Sequence, residues 1–421
     1  MKKRIAVALS MFIIASLILA GCGGAKNSSE GQKAAGQEKV TIRFAHWRGE
    51  DLEAFNKIIQ QFQKENPNIV VNQSVETSEQ YRTKIQAELQ GGEGPDIFAT
   101  MPGSDFAALS SANAYVDLSG SSFLGNFNPE LLKPGQINGK QYAIPYQLVY
   151  NIPVYNKDIF QKYNLEPPKD WQGFLALCQK LKDNGITPII LDSEIGFGQF
   201  INPMLMNNMP SGDTLSKVQK GEAKLTDPWF VTTLKQFKEL NDKGYFQKDV
   251  LGTKKAGAAA LFAQGKGAML AQGSYMMATI KQQNPNIHQG LLAPITVPAD
   301  QMKYEGIHTA TFMLGINSKS KNIEAAKKFL EYLFRPDIAS QYANATGQLL
   351  TVNNVKYDSP ELTEQSKWLS KKTLFQPRYM ITVREVETAV TNAIADVLSG
   401  MSPEDAAAKA QKAVDMVVKK Q

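Results

Sequence analysis

The sequence predicts an α/β fold, on three observations. Stretches of period-two hydrophobicity alternate with stretches of period 3.6. Gly, Pro and Asn punctuate each change of period. The composition, 43% hydrophobic and 20% charged over 421 residues, is that of a globular chain long enough for two or three domains. It excludes a disordered chain, a collagen and a multi-span membrane protein. The net charge of +6 falls to +3 once Lys2, Lys3 and Arg4 are set aside, which gives no support for a nucleic-acid partner.

Residues 1–4 are basic and 5–20 carry no charge, the n-region and h-region of an export signal. The run falls short of the roughly 20 apolar residues that a spanning helix needs. It closes on Leu19-Ala20-Gly21-Cys22, which resembles the lipobox of bacterial lipoproteins. The resemblance implies acylation of Cys22 and removal of residues 1–21 as a signal peptide. An ordinary cleaved signal and an uncleaved anchor are the alternatives. Residues 22–39, rich in Gly, Ser and Gln, read as a flexible tether. Each buried methylene of an acyl chain contributes about 0.8 kcal/mol, and stable anchoring takes more than one chain. A chain leashed outside the cytoplasm lacks ATP and NADH, which weighs against kinases and dehydrogenases. With Cys22 modified, Cys178 has no disulfide partner. His46, His288 and His308 are too scattered for a zinc site, so no metal and no cofactor is expected.

From Val40 the pattern is strand, helix, strand. Val40, Ile42 and Phe44 alternate with polar residues; Leu52, Phe55, Ile59 and Phe62 then follow at helical spacing. Asn66-Pro67-Asn68 breaks that helix before a strand at Ile69-Val70-Val71. Tyr81, Ile85 and Leu89 mark a second helix, ended by Gly91-Gly92, and Pro95-Asp96-Ile97-Phe98 opens a third strand. This alternation predicts a mostly parallel sheet. The middle third is richer in helix, over 159–163, 174–181, 231–240 and 256–262, with short strands at 142–144 and 189–191. A strand at 312–316 and a helix at 323–333 follow. Val386, Val390, Ile394 and Val397 line a helix face, and Ser402-Pro403-Glu404 starts the last helix. No internal repeat of 20–50 residues is present.

Six motifs then coincide in order. Gly94-Pro95-Asp96-Ile97-Phe98, Gly139-Lys140-Gln141-Tyr142-Ala143-Ile144-Pro145 and Val154-Tyr155-Asn156-Lys157-Asp158-Ile159-Phe160 are three of them. The others are Pro168-Lys169-Asp170-Trp171, Phe262-Ala263-Gln264-Gly265-Lys266-Gly267 and Gly273-Ser274-Tyr275. Together they resemble the extracellular solute-binding proteins (family 1, maltodextrin-binding-protein-like) of bacterial ABC sugar importers. Asp170 stands where that family has threonine, and Tyr275 where it has tryptophan. The resemblance runs from about residue 40 to the end. It implies a two-lobe periplasmic-binding-protein-like fold (type II), with the ligand cleft between lobes joined by hinge segments. The crossings would fall near 147–152, 291–295 and 349–353. The N-terminal lobe would be 40–147 plus 293–350, and the C-terminal lobe 148–292 plus 351–421.

A sugar offers hydroxyl edges and apolar C–H faces, so its site needs aromatic rings and planar polar side chains. Candidates lie at the ends of the expected strands, where α/β sheets bind ligands. Trp47, Arg48 and Glu50 follow the first strand; the competing view has Glu50 and Asp51 facing a helix N-terminus. Ser104 and Asp105 follow the third, although Ser104 also reads as an N-cap. Gln147 stands where the maltodextrin binders carry an acid, and Tyr150 is either a ligand contact or hinge packing. By the resemblance Tyr275 is the stacking residue. Phe197 is a second aromatic candidate, and His308, Arg378 and Arg384 are polar ones, each with a structural alternative. Met204, Met206, Met209, Met276 and Met277 read as core filler, and the Lys pairs 254–255, 327–328 and 371–372 as solvated faces.

The expected function is a lipid-anchored, monomeric, extracytoplasmic receptor. It captures a carbohydrate, an oligosaccharide by preference, passes it to an ABC permease and breaks no bond. An exported lipoprotein glycosidase and a binder of a non-sugar solute are the alternatives. A glycosidase needs two carboxylates about 5 or 6.5–9.5 Å apart, and no GxSxG or HExxH is present.

Overall fold

The computed structural model describes residues 39–419. The export signal, Cys22 and the tether through Glu38 lie outside the described residues. Strand Val40–His46 buries Ile42 and Phe44 on one face. It pairs in parallel with both Ile69–Val75 and Ile97–Thr100. Between the first two, helix Leu52–Glu65 buries Phe55, Ile58, Ile59 and Phe62, and the Phe44 and Phe55 rings meet edge to face at 5.2 Å. Helix Ser78–Gly91 starts at Thr77, whose hydroxyl accepts the Gln80 N–H. It ends on Gly92 at φ +82°, a left-handed conformation that costs glycine little.

Seven strands make the larger sheet, in the spatial order Leu349–Leu350, Ala143–Tyr150, Gly306–Ile316, Ile97–Thr100, Val40–His46, Ile69–Val75; Thr373–Phe375 adds to the start of Gly306–Ile316. A second sheet of four runs Gln289–Leu291, Val154–Asn156, Gly267–Leu270, Thr187–Ile190. Asp170 caps helix Trp171–Asp183, its carboxylate accepting the Gly173 N–H at 2.7 Å, so the exchange from threonine keeps the cap.

Two hydrophobic cores result. One is built around Phe44, Phe62, Phe98 and Tyr342, the other around Phe174, Phe200, Phe237 and Val390. The chain crosses between the cores along three strands. Along Ala143–Tyr150, Ile144 and Tyr146 belong to the first core but Leu148 and Val149 to the second. Along Gly306–Ile316, Ile307 belongs to the second and Phe312 to the first, and Leu349 and Leu350 divide the same way. Leu292, Ala293 and Ile295, where the middle crossing was expected, pack in the second core. The strand expected at 142–144 continues to Tyr150, because its far half is buried against the second core and pairs with Gly306–Ile316. Phe312 has φ +49°, a conformation that costs a non-glycine residue on the order of 1–3 kcal/mol. Its ring is held by Trp47 at 5.3 Å, His46 at 5.9 Å and Phe55 at 6.1 Å. The five methionines are buried as filler.

Candidate functional site

The loop after the first strand is fixed from beneath. His46 is fully buried; its Nδ1 accepts the Arg48 N–H at 3.1 Å and its Nε2 lies 3.0 Å from Gln73 Oε1. Burial pushes the imidazole down to about 4, so it stays neutral. Arg48 is 5% exposed and forks onto Asp51, Nε to Oδ2 at 2.8 Å and Nη2 to Oδ1 at 3.2 Å. The same carboxylate accepts Gln147 Nε2 at 3.2 Å and the Tyr342 hydroxyl, while Gln147 Nε2 also reaches Tyr342 at 2.6 Å. Asp51 makes no side-chain cap to the following helix, which corrects the helix-facing view; a buried guanidinium needs that carboxylate more than the helix does. Glu50 sits at the rim, 3.2 Å from Arg48 Nη1. Burial alone would raise its carboxyl, but the charges of Arg48 and Lys255 outweigh that and hold it below the usual range. Trp47 is half-buried, against Tyr81 at 5.4 Å and Phe312 at 5.3 Å.

The opposite side comes from the second core. Ser274 accepts the Tyr150 N–H at 3.1 Å, which ties the turn Ser274–Met276 to the hinge strand and places Tyr275. Tyr275 is 9% exposed and its hydroxyl has no partner among the described residues. The Lys255 ammonium lies 5.6 Å from its ring centroid. Lys255 is half-buried, and desolvation lowers its pKa although Glu50 opposes the shift, so the solvated-face expectation fails at Lys255 and holds at its exposed neighbour Lys254. Asp192 Oδ1 accepts three backbone N–H groups (194–196) and Oδ2 accepts Gln272 Nε2 at 2.8 Å, shaping the entry to helix Gly196–Leu205. A Cβ on Gly198 would stand 2.6 Å from Arg378 Nη1, so glycine there lets the arginine approach. Arg378 Nε and Gln272 Oε1 are also buried without a partner among the described residues. Glu50 of the first lobe opposes the lowering of the Lys255 pKa, and the Arg48 charge opposes the rise at Tyr275.

The remaining candidates separate into two groups. Ser104, Asp105 and Arg384 come together at the junction of helices Ser104–Ser111 and Arg384–Leu398. Gly103, not Ser104, is the N-cap there, and the Ser104 hydroxyl donates to Glu387, which corrects the capping view. Tyr150, Phe197 and His308 do not join the loop. Tyr150 is 2% exposed against Trp368 at 5.8 Å, and Phe197 is 7% exposed in the second core. His308 pairs with Tyr150 along the hinge strands, its Nδ1 2.9 Å from Thr373 Oγ1, and burial holds it down at about 4. Sequence reasoning missed Lys255, Glu387, Tyr379 and the role of Asp51. Only Asp51 left a signal, an acid three residues after Arg48.

Two α/β bodies, each with its own core and joined by crossing strands, make a two-lobe fold of the solute-binding kind. Residues 47–340 match the family of bacterial extracellular solute-binding proteins, and the chain belongs to it. It is 26% identical over 360 residues to the Multiple sugar-binding protein of Streptococcus mutans, covering 82% of each chain. It is 24% identical over 371 residues to the Melibiose/raffinose/stachyose-binding protein MelE of Bacillus subtilis, covering 85% of this chain and 83% of that one. In structure it resembles the binding protein RafE in complex with raffinose, with TM-score 0.79, 21% identity, and 90% and 100% of the two chains covered. A chitin oligosaccharide binding protein gives TM-score 0.78 at 21% identity, covering 90% and 99%. Among the described residues no helix is long and apolar enough to cross a membrane.

Proposed function

We propose that the chain is a lipid-anchored extracytoplasmic receptor that captures an oligosaccharide between its lobes and hands it to an ABC permease. One observation carries the reading: Tyr275 holds an aromatic ring whose buried hydroxyl has no partner among the described residues, while on the other lobe Arg48 is already fixed by Asp51. Rings stack on sugar C–H faces, and buried polar atoms without partners supply hydrogen bonds to hydroxyls. Relatives named for multiple sugars and for melibiose, raffinose and stachyose support the ligand class. On this reading Trp47, Arg48, Glu50 and Tyr275 meet the ligand, and Gln147 orders the loop. The lobes are 40–147 plus 293–350 and 148–292 plus 351–421, except that the stretch between Ala293 and Ile307 packs on the second core and goes with the second lobe. Cys22 carries the acyl anchor, residues 1–21 are removed, and the receptor works as a monomer.

Thermal-shift screening against a glycan library tests the ligand; stabilisation by no saccharide ends the reading. A glycosidase acid needs a raised pKa, whereas Glu50 is held low by Arg48 and Asp105 is committed to two arginines. Release of products from a bound glycan would nevertheless establish catalysis. Mass spectrometry of the mature N-terminus tests the anchor, with acylated Cys22 expected and an N-terminus beyond residue 22 excluding it.

A further inference from the structure

The junction of helices Ser104–Ser111 and Arg384–Leu398 joins the two cores directly. Phe106 and Leu109 of the first helix belong to one core, and Val386 and Val390 of the second to the other. Asp105 is paired on both sides. Arg82, from its own lobe, reaches Oδ1 at 2.9 Å, and Arg384, from the other lobe, reaches the same oxygen. One residue earlier, the Ser104 hydroxyl donates to Glu387 Oε2, while Glu387 Oε1 lies 3.5 Å from Arg378. The Tyr379 hydroxyl points back across the junction to Met101 Sδ at 3.7 Å. Gly103, at φ +80°, lets the backbones touch: a Cβ there would stand 2.9 Å from the Ile381 carbonyl oxygen and 3.0 Å from that of Tyr379. The cavity that Trp47, Met101, Asp105 and Arg384 help to line measures about 20 Å³, room for about one water molecule.

We propose that Ser104, Asp105, Arg384 and Glu387 form a latch between the lobes, so that the closed conformation is held at this end by protein–protein contacts and not by ligand contacts. The inference rests on the reading of a cleft that opens and closes. It differs from that reading in assigning three residues, which sequence reasoning gave to the ligand, to closure itself. Ser104 and Glu387 are 3% and 8% exposed, so their contact is desolvated and depends on the lobes being together. Asp105 is the pivot, because its carboxylate is ion-paired to an arginine from each lobe, whereas Glu387 pairs with an arginine of its own lobe and meets the other through the Ser104 hydroxyl. A ligand then has to displace nothing here, and the latch adds to the stability of any closed complex, whichever sugar is bound.

The test needs no sugar, so its failure is separable from failure of the sugar screen. Nitroxides placed on the full-length chain at Lys57→Cys and Lys412→Cys, both exposed and on opposite lobes, report the interlobe distance by double electron–electron resonance. Asp105→Asn and Arg384→Gln are each expected to move the distribution toward longer distances, and the double variant to move it no further than the larger single shift. Glu387→Gln gives the second, independent arm, with a shift in the same direction. Unchanged distributions in Asp105→Asn and Arg384→Gln, or shifts that simply add in the double variant, overturn the latch.

Discussion

The two faces of the cleft are built on opposite plans. On the first lobe the loop after the first strand is saturated: among the described residues no buried nitrogen or oxygen of Arg48, Asp51, Gln147 or Tyr342 lacks a partner. On the second lobe the Tyr275 hydroxyl, Gln272 Oε1 and Arg378 Nε are buried and have no partner among the described residues. A saturated network is rigid and holds its loop in one geometry. An unsaturated face carries the cost of unmade hydrogen bonds, which a bound hydroxyl would offset. The difference teaches that one lobe supplies a preset wall and the other the hydrogen-bonding demand.

Breaking the saturated face should have the largest effect. Asp51→Ala leaves the Arg48 guanidinium buried without its carboxylate and is expected to destabilise the fold by about 3–5 kcal/mol. Urea unfolding measures this, and an unchanged midpoint would show that the network is not a structural unit.

Acid should next attack His46, beneath that wall, and His308, in the hinge strands. His46 and His308 have folded-state values of about 4 against an ordinary 6.5. The unfolded chain therefore binds more protons between those pH values, so stability is fully present above about 6.5 and is lost as pH falls toward 4. Each histidine contributes up to about 1.4 kcal/mol per pH unit in that window. His46→Gln should flatten the dependence of the urea midpoint on pH; an identical slope in wild type and variant speaks against a neutral buried His46.

On the unsaturated face the effects should fall on binding. Tyr275→Ala is expected to weaken sugar binding by about 1–3 kcal/mol in calorimetry while leaving the fold intact. Unchanged affinity removes the ring from the site. Tyr275→Phe is the finer probe: loss of a hydroxyl with no internal partner should leave urea stability unchanged or slightly raised, and weaken binding by about 0.5–1.5 kcal/mol. A loss of stability in that variant would mean that the hydroxyl already has a partner, and the contrast between the two faces would collapse.

Much of this architecture was legible in the chain. Helix Ile323–Leu333 has the bounds its apolar spacing indicates, and the strand–helix–strand start follows from Val40, Ile42 and Phe44 set against Phe55, Ile59 and Phe62. The site was legible only as positions. That Arg48 and Tyr275 lie near one cleft could be argued from loops and motifs, but their chemistry could not. Lys255 read as half of a solvated pair because nothing local marks a lysine whose ammonium will lie over the Tyr275 ring. Ser104 read as a ligand contact or a cap because its partner, Glu387, is remote in the chain and near only once the lobes meet.

The amino-acid sequence by itself determined the local periods, the breaks between them and the family. Those depend on neighbours a few residues apart, and hydrophobic spacing encodes them directly. Only the tertiary structure decided which carboxylate holds which arginine, which polar atoms stay unpartnered and which residues bridge the lobes. Each of those depends on how much water is excluded and which charge arrives from a distant segment, and both are set when the two cores pack and the cleft closes.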